Sequence, residues 1–353
     1  MIRTLLLTLL TLCSLFARGN RASNIILVKA GNVDSLISAI EQAGVRNAAP
    51  DSPRLYILIP DGLYDLGETC LTTISGYNIA LIGQSMEGTV IMNAPKVEKE
   101  GIGRTATLLN RGMNTYVQDL TLKNALDYYH SGAAGRAVCW QDKGQRTIFK
   151  HVRMLSYQDT YYSHSEDCQH YFDDCEIHGT VDFICGAGDV WFNRCTIVAE
   201  RRNADGSGDD VIAAPRTSVT NWGYVFDHCT IRSDMSSFHL ARGWHTLPRC
   251  AWLYTRLENP EKLSKGRFDP NSIRSVDCQF YEYCTTDAEG RLLTPPTNVV
   301  TFSAKGQTRS AETVLDSYAA RRFQLKAVFP DWRPEKVARK LSKTAVKLKA
   351  AHM

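Results

Sequence analysis

Two aspartates carry the first hint of chemistry in this chain. Asp159 lies in Tyr157-Gln-Asp-Thr-Tyr-Tyr162, and Asp182 lies 23 residues later in Gly179-Thr-Val-Asp-Phe-Ile-Cys-Gly186. A carboxylate set between Val181 and Phe183 is costly to bury unless it is paired or hydrogen-bonded. Each aspartate alone would pass for a turn or capping residue. Together they are candidates for a cooperating pair. Two close carboxylates push their pKa values apart, because both cannot ionise cheaply.

Other chemistries find less support. His164, His170, His178, His239 and His245 have neither the HExxH spacing nor any zinc spacing, and no GxSxG nucleophile elbow occurs. They are expected to be ordinary cleft or surface histidines, and neither a metal nor a cofactor is expected. The 11 cysteines include no CxxC pair, which argues against a zinc site.

A repeat supplies the elements that would position the aspartates. It reads aromatic or aliphatic, then Phe or Val, two mostly polar residues, an apolar residue, any residue, and Ile, Leu or Met. The copies are Tyr116-Val-Gln-Asp-Leu-Thr-Leu122, Ile148-Phe-Lys-His-Val-Arg-Met154, Tyr171-Phe-Asp-Asp-Cys-Glu-Ile177, Trp191-Phe-Asn-Arg-Cys-Thr-Ile197 and Val225-Phe-Asp-His-Cys-Thr-Ile231. Their starts are separated by 32, 23, 20 and 34 residues, which marks stacked units. Each copy is strand-like, turn formers lie between copies, and no helical pattern is long enough to supply crossover helices. The expected fold is all-β, a right-handed parallel β-helix whose coils bury their inward side chains against one another. Cys175, Cys195 and Cys229 hold one place in successive copies, so buried free thiols in an interior ladder are expected.

Apolar Val33, Leu36, Ile37, Ile40 and Ala43 have helical spacing, with Gly44 as a stop, and predict a short N-terminal helix capping the open end of the solenoid. Leu55-Tyr-Ile-Leu-Ile59 reads as a buried strand closed by Pro60-Asp-Gly62. From Pro334 a helical tail is expected, with apolar Val337, Leu341 and Val346 and a solvated basic face including Lys336, Arg339, Lys340, Lys343, Lys347 and Lys349.

Residues 1–19 read as a secretory signal: Arg3, an apolar core from Leu5 to Phe16, and the small-x-small site Ala17-Arg-Gly19. The expected organisation is a signal peptide at 1–19, a β-helix domain at 20–335 and a basic tail at 336–353. The formal net charge is +4, and loss of Arg3 and Arg18 would leave +2, too little to imply nucleic acid. The chain is expected to be exported to the periplasm or the extracellular space, as a monomer with no membrane attachment after cleavage.

From about Ile25 to about Pro334 the sequence resembles the pectin methylesterase family, carbohydrate esterases of the parallel β-helix class. The resemblance is carried by Leu81-Ile-Gly-Gln-Ser-Met-Glu-Gly-Thr-Val-Ile91, by Thr105-Ala-Thr107 followed by Val117-Gln-Asp-Leu-Thr-Leu-Lys-Asn124, and by Gln158-Asp-Thr160. It continues through Gly179 to Gly186 and through Leu240-Ala-Arg-Gly-Trp244. It implies that Asp182 attacks the methyl-ester carbonyl of a galacturonate in pectin, and that Asp159 protonates departing methanol and then activates water. It implies that Gln158 donates to the oxyanion, that Arg242 holds Asp182 ionised, and that Trp244 and Tyr162 line the sugar cleft, with Thr107 among the substrate-binding positions. The physical reading agrees. A carboxylate nucleophile splits one hard step into two easier ones. An arginine fork beside one carboxylate decides which of the two stays charged, leaving the other for acid work. A 23-residue gap suits one coil, so the two would sit on neighbouring rungs about 4.8 Å apart.

The chain departs from the family pattern in three places. Arg136-Ala-Val-Cys-Trp140 stands where the family has Gln-Ala-Val-Ala-Leu, so the second oxyanion donor is Arg136 or is missing. Cys185 replaces an aromatic, and Gly243 replaces a proline. Arg136 would add positive charge for an oxyanion but would lower the pKa of a nearby acid. Two alternatives remain at this stage. One is a β-helix galacturonan hydrolase or lyase, for which Asp205 to Asp210 is the only acidic cluster, in what looks like a Gly-rich loop. The other is a non-catalytic pectin-binding relative.

Overall fold

The computed structural model describes residues 24–96, 101–131, 135–217 and 222–353. The leader at 1–19 lies outside them. Parallel strands climb in three strips, as a parallel β-helix. Two strips form one 16-stranded sheet, and a separate 7-stranded sheet makes the remaining wall.

The five sequence copies fall into register. Tyr116 pairs with Ile148, Ile148 with Tyr171, Tyr171 with Trp191, and Trp191 with Val225. One position along, Phe149, Phe172, Phe192, Phe226 and Trp252 stack in the interior, with successive ring centroids 4.3, 4.7, 4.4 and 3.7 Å apart. The fourth residue of each copy bends the chain from one strip to the next. Asp119, His151, Asp174, Arg194 and His228 all take left-handed backbone conformations, with φ between 51° and 57°. That turn explains why the pattern breaks to polar residues there: a β-branched side chain would be strained at positive φ. Cys175, Cys195 and Cys229 are buried and free.

The N-terminal helix runs Val33–Arg46, and its Leu36, Ala39, Ile40 and Ala43 close one end of the interior. Gly44 does not stop it. The helix continues two residues further, to Arg46, and is capped by Asn47, whose side chain donates to the carbonyls of Pro53 and Tyr77 at 3.0 and 2.7 Å.

Adjacent strand residues face opposite ways. The row Tyr116, Ile148, Tyr171, Trp191 and Val225 therefore points outward, yet it is buried, because the C-terminal segment covers it. Phe329, Trp332 and the helix Pro334–His352 pack there. The buried stripe of that helix is Ala338, Leu341 and Ala345. Val346, expected to be apolar and inward, is 62% exposed. Pro334 is buried with that stripe, and Val337 and Leu348 pack at the edges of the same cluster. Lys349 reaches in to bond Asp119 and donates to the Gln84 carbonyl at 3.0 Å. Lys336, Arg339, Lys340, Lys343 and Lys347 face solvent. No described helix is long and apolar enough to cross a membrane.

Candidate active site

The 7-stranded sheet builds the site. Its strands Tyr161–Ser163, Val181–Gly186, Asp209–Pro215 and Ser237–Ala241 lie side by side. Tyr161 pairs with Ile184 and Tyr162 with Cys185. The same 23-residue offset relates Asp159 to Asp182, so both aspartates occupy one place on successive coils. The coils are tied there by the Thr180 amide donating to the Tyr157 carbonyl at 3.0 Å. Both residues adopt left-handed conformations, φ 61° for Asp159 and 53° for Asp182. Aspartate is among the few non-glycine residues enriched in that region. The register between Val181–Gly186 and Asp209–Pro215 also slips between Val181 and Ile184. Such a bulge re-aims a side chain, here that of Asp182. The carboxyls end up nearly covered, with 5% exposure at Asp159 and 6% at Asp182.

Their partners differ. Arg242 follows the strand Ser237–Ala241 and is anchored by its amide, which donates to the Ala213 carbonyl at 3.0 Å. Its Nε donates to Asp182 Oδ1 at 2.8 Å and its terminal nitrogen to Oδ2, a two-pronged ion pair. Burial acts to lower the pKa of Arg242, but the Asp182 charge outweighs it, and the guanidinium is held above its ordinary range. Asp159 is met by a thiol, Cys185 Sγ, which donates to Oδ1 at 3.6 Å. Burial and then the nearby Asp182 charge push the Asp159 carboxyl well above the usual carboxylate range. The Cys185 contact and the charges of Arg136 and Arg242 oppose this without cancelling it. One carboxylate is thus fixed in an ion pair, and its neighbour has its pKa shifted toward acid work.

Gln158 and Arg136 sit on adjoining coils. They pair as an isolated bridge, and the Ala137 amide donates to the Gln158 carbonyl at 2.8 Å. Both residues are half-buried, and the Arg136 charge reaches Asp159. Along the sheet, Tyr162, Cys185 and Ala214 form one outward apolar row with Ala106 and Val138, and Trp244 packs against it. The Tyr162 and Trp244 rings lie 6.1 Å apart, tilted by 48°.

One expected position does not reach this surface. Thr107 has no exposure, and its hydroxyl is engaged internally by Asn93 Oδ1 at 2.7 Å and the Lys123 carbonyl at 3.1 Å. It ties coils together and is not available to a substrate. His170 is likewise neither a cleft nor a surface histidine: it is fully buried, with Nδ1 2.6 Å from the Tyr161 hydroxyl. Asp209 and Asp210 belong to a cleft strand, while Asp205 accepts from the Ser207 amide at 2.9 Å within a turn.

Three residues near the site were not anticipated. The Arg216 guanidinium lies 5.7 Å from the centre of the Trp244 ring and donates to the His164 carbonyl at 2.6 Å. Its signal was available: Ala-Pro-Arg ends one cleft strand as Leu-Ala-Arg ends the next. Tyr128 stacks on Tyr157 at 4.7 Å and accepts from the Thr180 hydroxyl at 3.0 Å, which walls the cleft beside Asp159. Asp210 is completely buried, and neither carboxyl oxygen has a hydrogen-bond partner among the described residues. Burial pushes its pKa up to about 9, assisted by the charges of Asp209, Asp182 and Glu200 and opposed by Arg202. No pattern in Asp-Gly-Ser-Gly-Asp-Asp marks its last two residues as the start of a strand, the first of them facing out and the second facing in.

A parallel β-helix carrying a paired-aspartate site with an arginine clamp is the class this architecture defines. The pectinesterase family model matches residues 24–291, and the chain belongs to that family. It is 27% identical over 260 residues to a probable pectinesterase of Arabidopsis thaliana, covering 72% of this chain and 68% of that protein. It spans 59, 47 and 41% of the length of three further Arabidopsis relatives. The fold matches a pectin methylesterase from Erwinia chrysanthemi with a TM-score of 0.65 at 24% identity, covering 83% of this chain and 93% of the other. A pectin methylesterase variant crystallised with a hexasaccharide matches with a TM-score of 0.67 at 23% identity, covering 87 and 97%.

Proposed function

We propose that this chain hydrolyses the methyl esters of galacturonate in pectin, releasing methanol and leaving free carboxylates. The observation that carries the reading is the asymmetry of the pair: Asp182 is clamped by Arg242, while Asp159, one coil away, is met by the Cys185 thiol and has its pKa raised by burial. An Asp182 oxygen attacks the ester carbonyl, and the carbonyl electrons move onto oxygen. Gln158 and Arg136 donate to that oxyanion, and a well-aimed donor is worth about 3 kcal/mol. Collapse breaks the bond to methoxide, which takes the Asp159 proton and leaves as methanol. The product of this half-reaction is an anhydride between Asp182 and the galacturonyl group. Asp159, now a carboxylate, takes a proton from water as the water oxygen attacks the galacturonyl carbon. The acid product departs, Asp182 regains its charge, and Asp159 is again protonated.

Trp244 and Tyr162 present the apolar wall against which sugar rings would lie. Export to the periplasm or extracellular space, cleavage of residues 1–19 and a monomeric state complete the reading. Export and cleavage rest on the sequence of the leader and on the polymeric substrate, which does not enter cells.

Two readouts on separate substrates test the reading. Methylated pectin should yield methanol with no loss of polymer length, and unesterified polygalacturonate should not be shortened. Chain shortening without methanol would replace it with a galacturonan hydrolase or lyase. Saturable binding without either product would replace it with a non-catalytic relative disabled at Arg136.

A further inference from the structure

A second cavity, of about 630 Å³, lies away from the cleft sheet, on the outer face of the 16-stranded sheet. One wall comes from that sheet: Trp222, Arg249 on the strand Arg249–Leu253, and Gln279 and Tyr281 on the strand Gln279–Tyr283. The other wall is the turn after the short helix Ser317–Ala320, which contributes Arg322 and Phe323. The volume falls in the range of small-molecule sites. Among the described residues the lining contains two arginines and no carboxylate; Asp189, behind Trp222, feels the charge of Arg249, and Arg322 stands at the rim.

The walls are ordered by their own contacts. Phe323 meets Trp222 edge-on at 5.3 Å and Tyr281 at 6.2 Å, so three aromatic rings bound one space. The Trp222 and Gly223 amides donate to Asp189 Oδ1 at 3.1 and 2.8 Å, which pins the tryptophan backbone and occupies that carboxylate oxygen. Arg249 Nε donates to Gln279 Oε1 at 3.0 Å, and this orients both side chains along the sheet. Arg322 is exposed at the rim.

Aromatic faces receive the C–H faces of sugar rings, an amide bonds hydroxyls, and guanidinium forks bond carboxylates in pairs. A neutral glycan would use only the first two. A bare anion would use only the last. We infer that this cavity is a second, non-catalytic binding site for an acidic oligosaccharide, an unesterified galacturonate run in the terms of the function proposed above. Such a site would hold the enzyme on polymer it has already de-esterified while the cleft works elsewhere on the chain. The inference rests on that function for the identity of the sugar, and on the cavity alone for its acidic, ring-stacking character.

The test is calorimetric titration of the full chain carrying Asp182→Asn with unesterified tetragalacturonate and, separately, with neutral cellotetraose. Two sites are expected for tetragalacturonate. Arg322→Glu should weaken one of them by about tenfold or more, and Trp222→Ala should do the same, while Trp244→Ala weakens the other. Arg322 is exposed, so its substitution does not threaten folding, and in the otherwise wild-type chain Arg322→Glu should leave methanol release from a short methylated oligosaccharide unchanged. A single site, removed by Trp244→Ala and indifferent to Arg322→Glu, overturns the inference. So does equal binding of cellotetraose at the outer site. Two-site binding by a chain that releases no methanol would sink the esterase reading and leave the acidic-glycan site standing.

Discussion

Arg242 meets both oxygens of Asp182, with Nε 2.8 Å from Oδ1, whereas Asp159 at the equivalent place one coil earlier is met by the Cys185 thiol. Two residues equivalent by repeat are thereby made chemically unequal. The fold supplies the symmetry, and the arginine at the end of the strand Ser237–Ala241 breaks it. Arg242→Lys keeps a positive charge but cannot make the two-pronged contact. Its kcat should fall by roughly 10²-fold, comparable to loss of one well-placed catalytic hydrogen bond, while KM for pectin changes little. Steady-state kinetics on one pectin preparation measures both.

The raised pKa of Asp159 has a signed consequence for activity. Its acid form persists above the usual carboxylate range, and the first half-reaction needs that acid form. The rate therefore falls as pH rises through the folded-state pKa, on the alkaline limb of kcat/KM. Arg136 pulls that pKa down through its charge. Arg136→Gln should move the alkaline limb upward, and Cys185→Ala, which removes a donor to the ionised form, should move it the same way. A pH–rate profile of the three proteins decides this, since a merely structural role would change the height of the curve and not the position of the limb.

Asp210 is pushed from the ordinary 3.8 up to about 9, chiefly by burial, with no hydrogen-bond partner among the described residues. The native state therefore binds its proton more tightly than the unfolded chain does. Stability is lost as pH rises from the unfolded value toward the folded one. Asp210→Asn removes that dependence. The melting-temperature difference between variant and wild type should shift in favour of the variant between about pH 4 and 9. Thermal melts at several pH values would show it.

Phe192 lies in the middle of the interior stack, 4.7 Å from Phe172 and 4.4 Å from Phe226, with no exposure. Phe192→Ala should cost about 3–5 kcal/mol of stability, measured by denaturant unfolding. Coils are stacked in one dimension, so the loss should be felt on both sides of the gap.

Much of this was legible in the residues because a stacked solenoid repeats its demands. Position two of each copy had to be large and apolar, and it became the aromatic stack. Position four had to turn, and it became the column of left-handed residues. The aspartate offset of 23 residues matched one coil, and the strand register kept it. What the sequence left hidden depended on which face a residue takes. Thr105 and Thr107 share a face by parity, and both are fully buried, because their hydroxyls serve coil-to-coil hydrogen bonds. The cover of the outward row from Tyr116 to Val225 by the C-terminal helix could not be read from either segment alone. Gly44 looked like a helix stop, but Asn47 three residues on supplied a better one by bonding two carbonyls.

Methanol release from highly methylated pectin, compared across wild type, Asp182→Asn and Asp159→Asn with folding matched by circular dichroism, tests the central assignment most directly. Wild type should release methanol steadily, Asp182→Asn should lose roughly 10⁴-fold or more of that rate, as removal of a nucleophile does elsewhere, and Asp159→Asn should be similarly impaired. Retention of wild-type methanol release by folded Asp182→Asn would contradict the account.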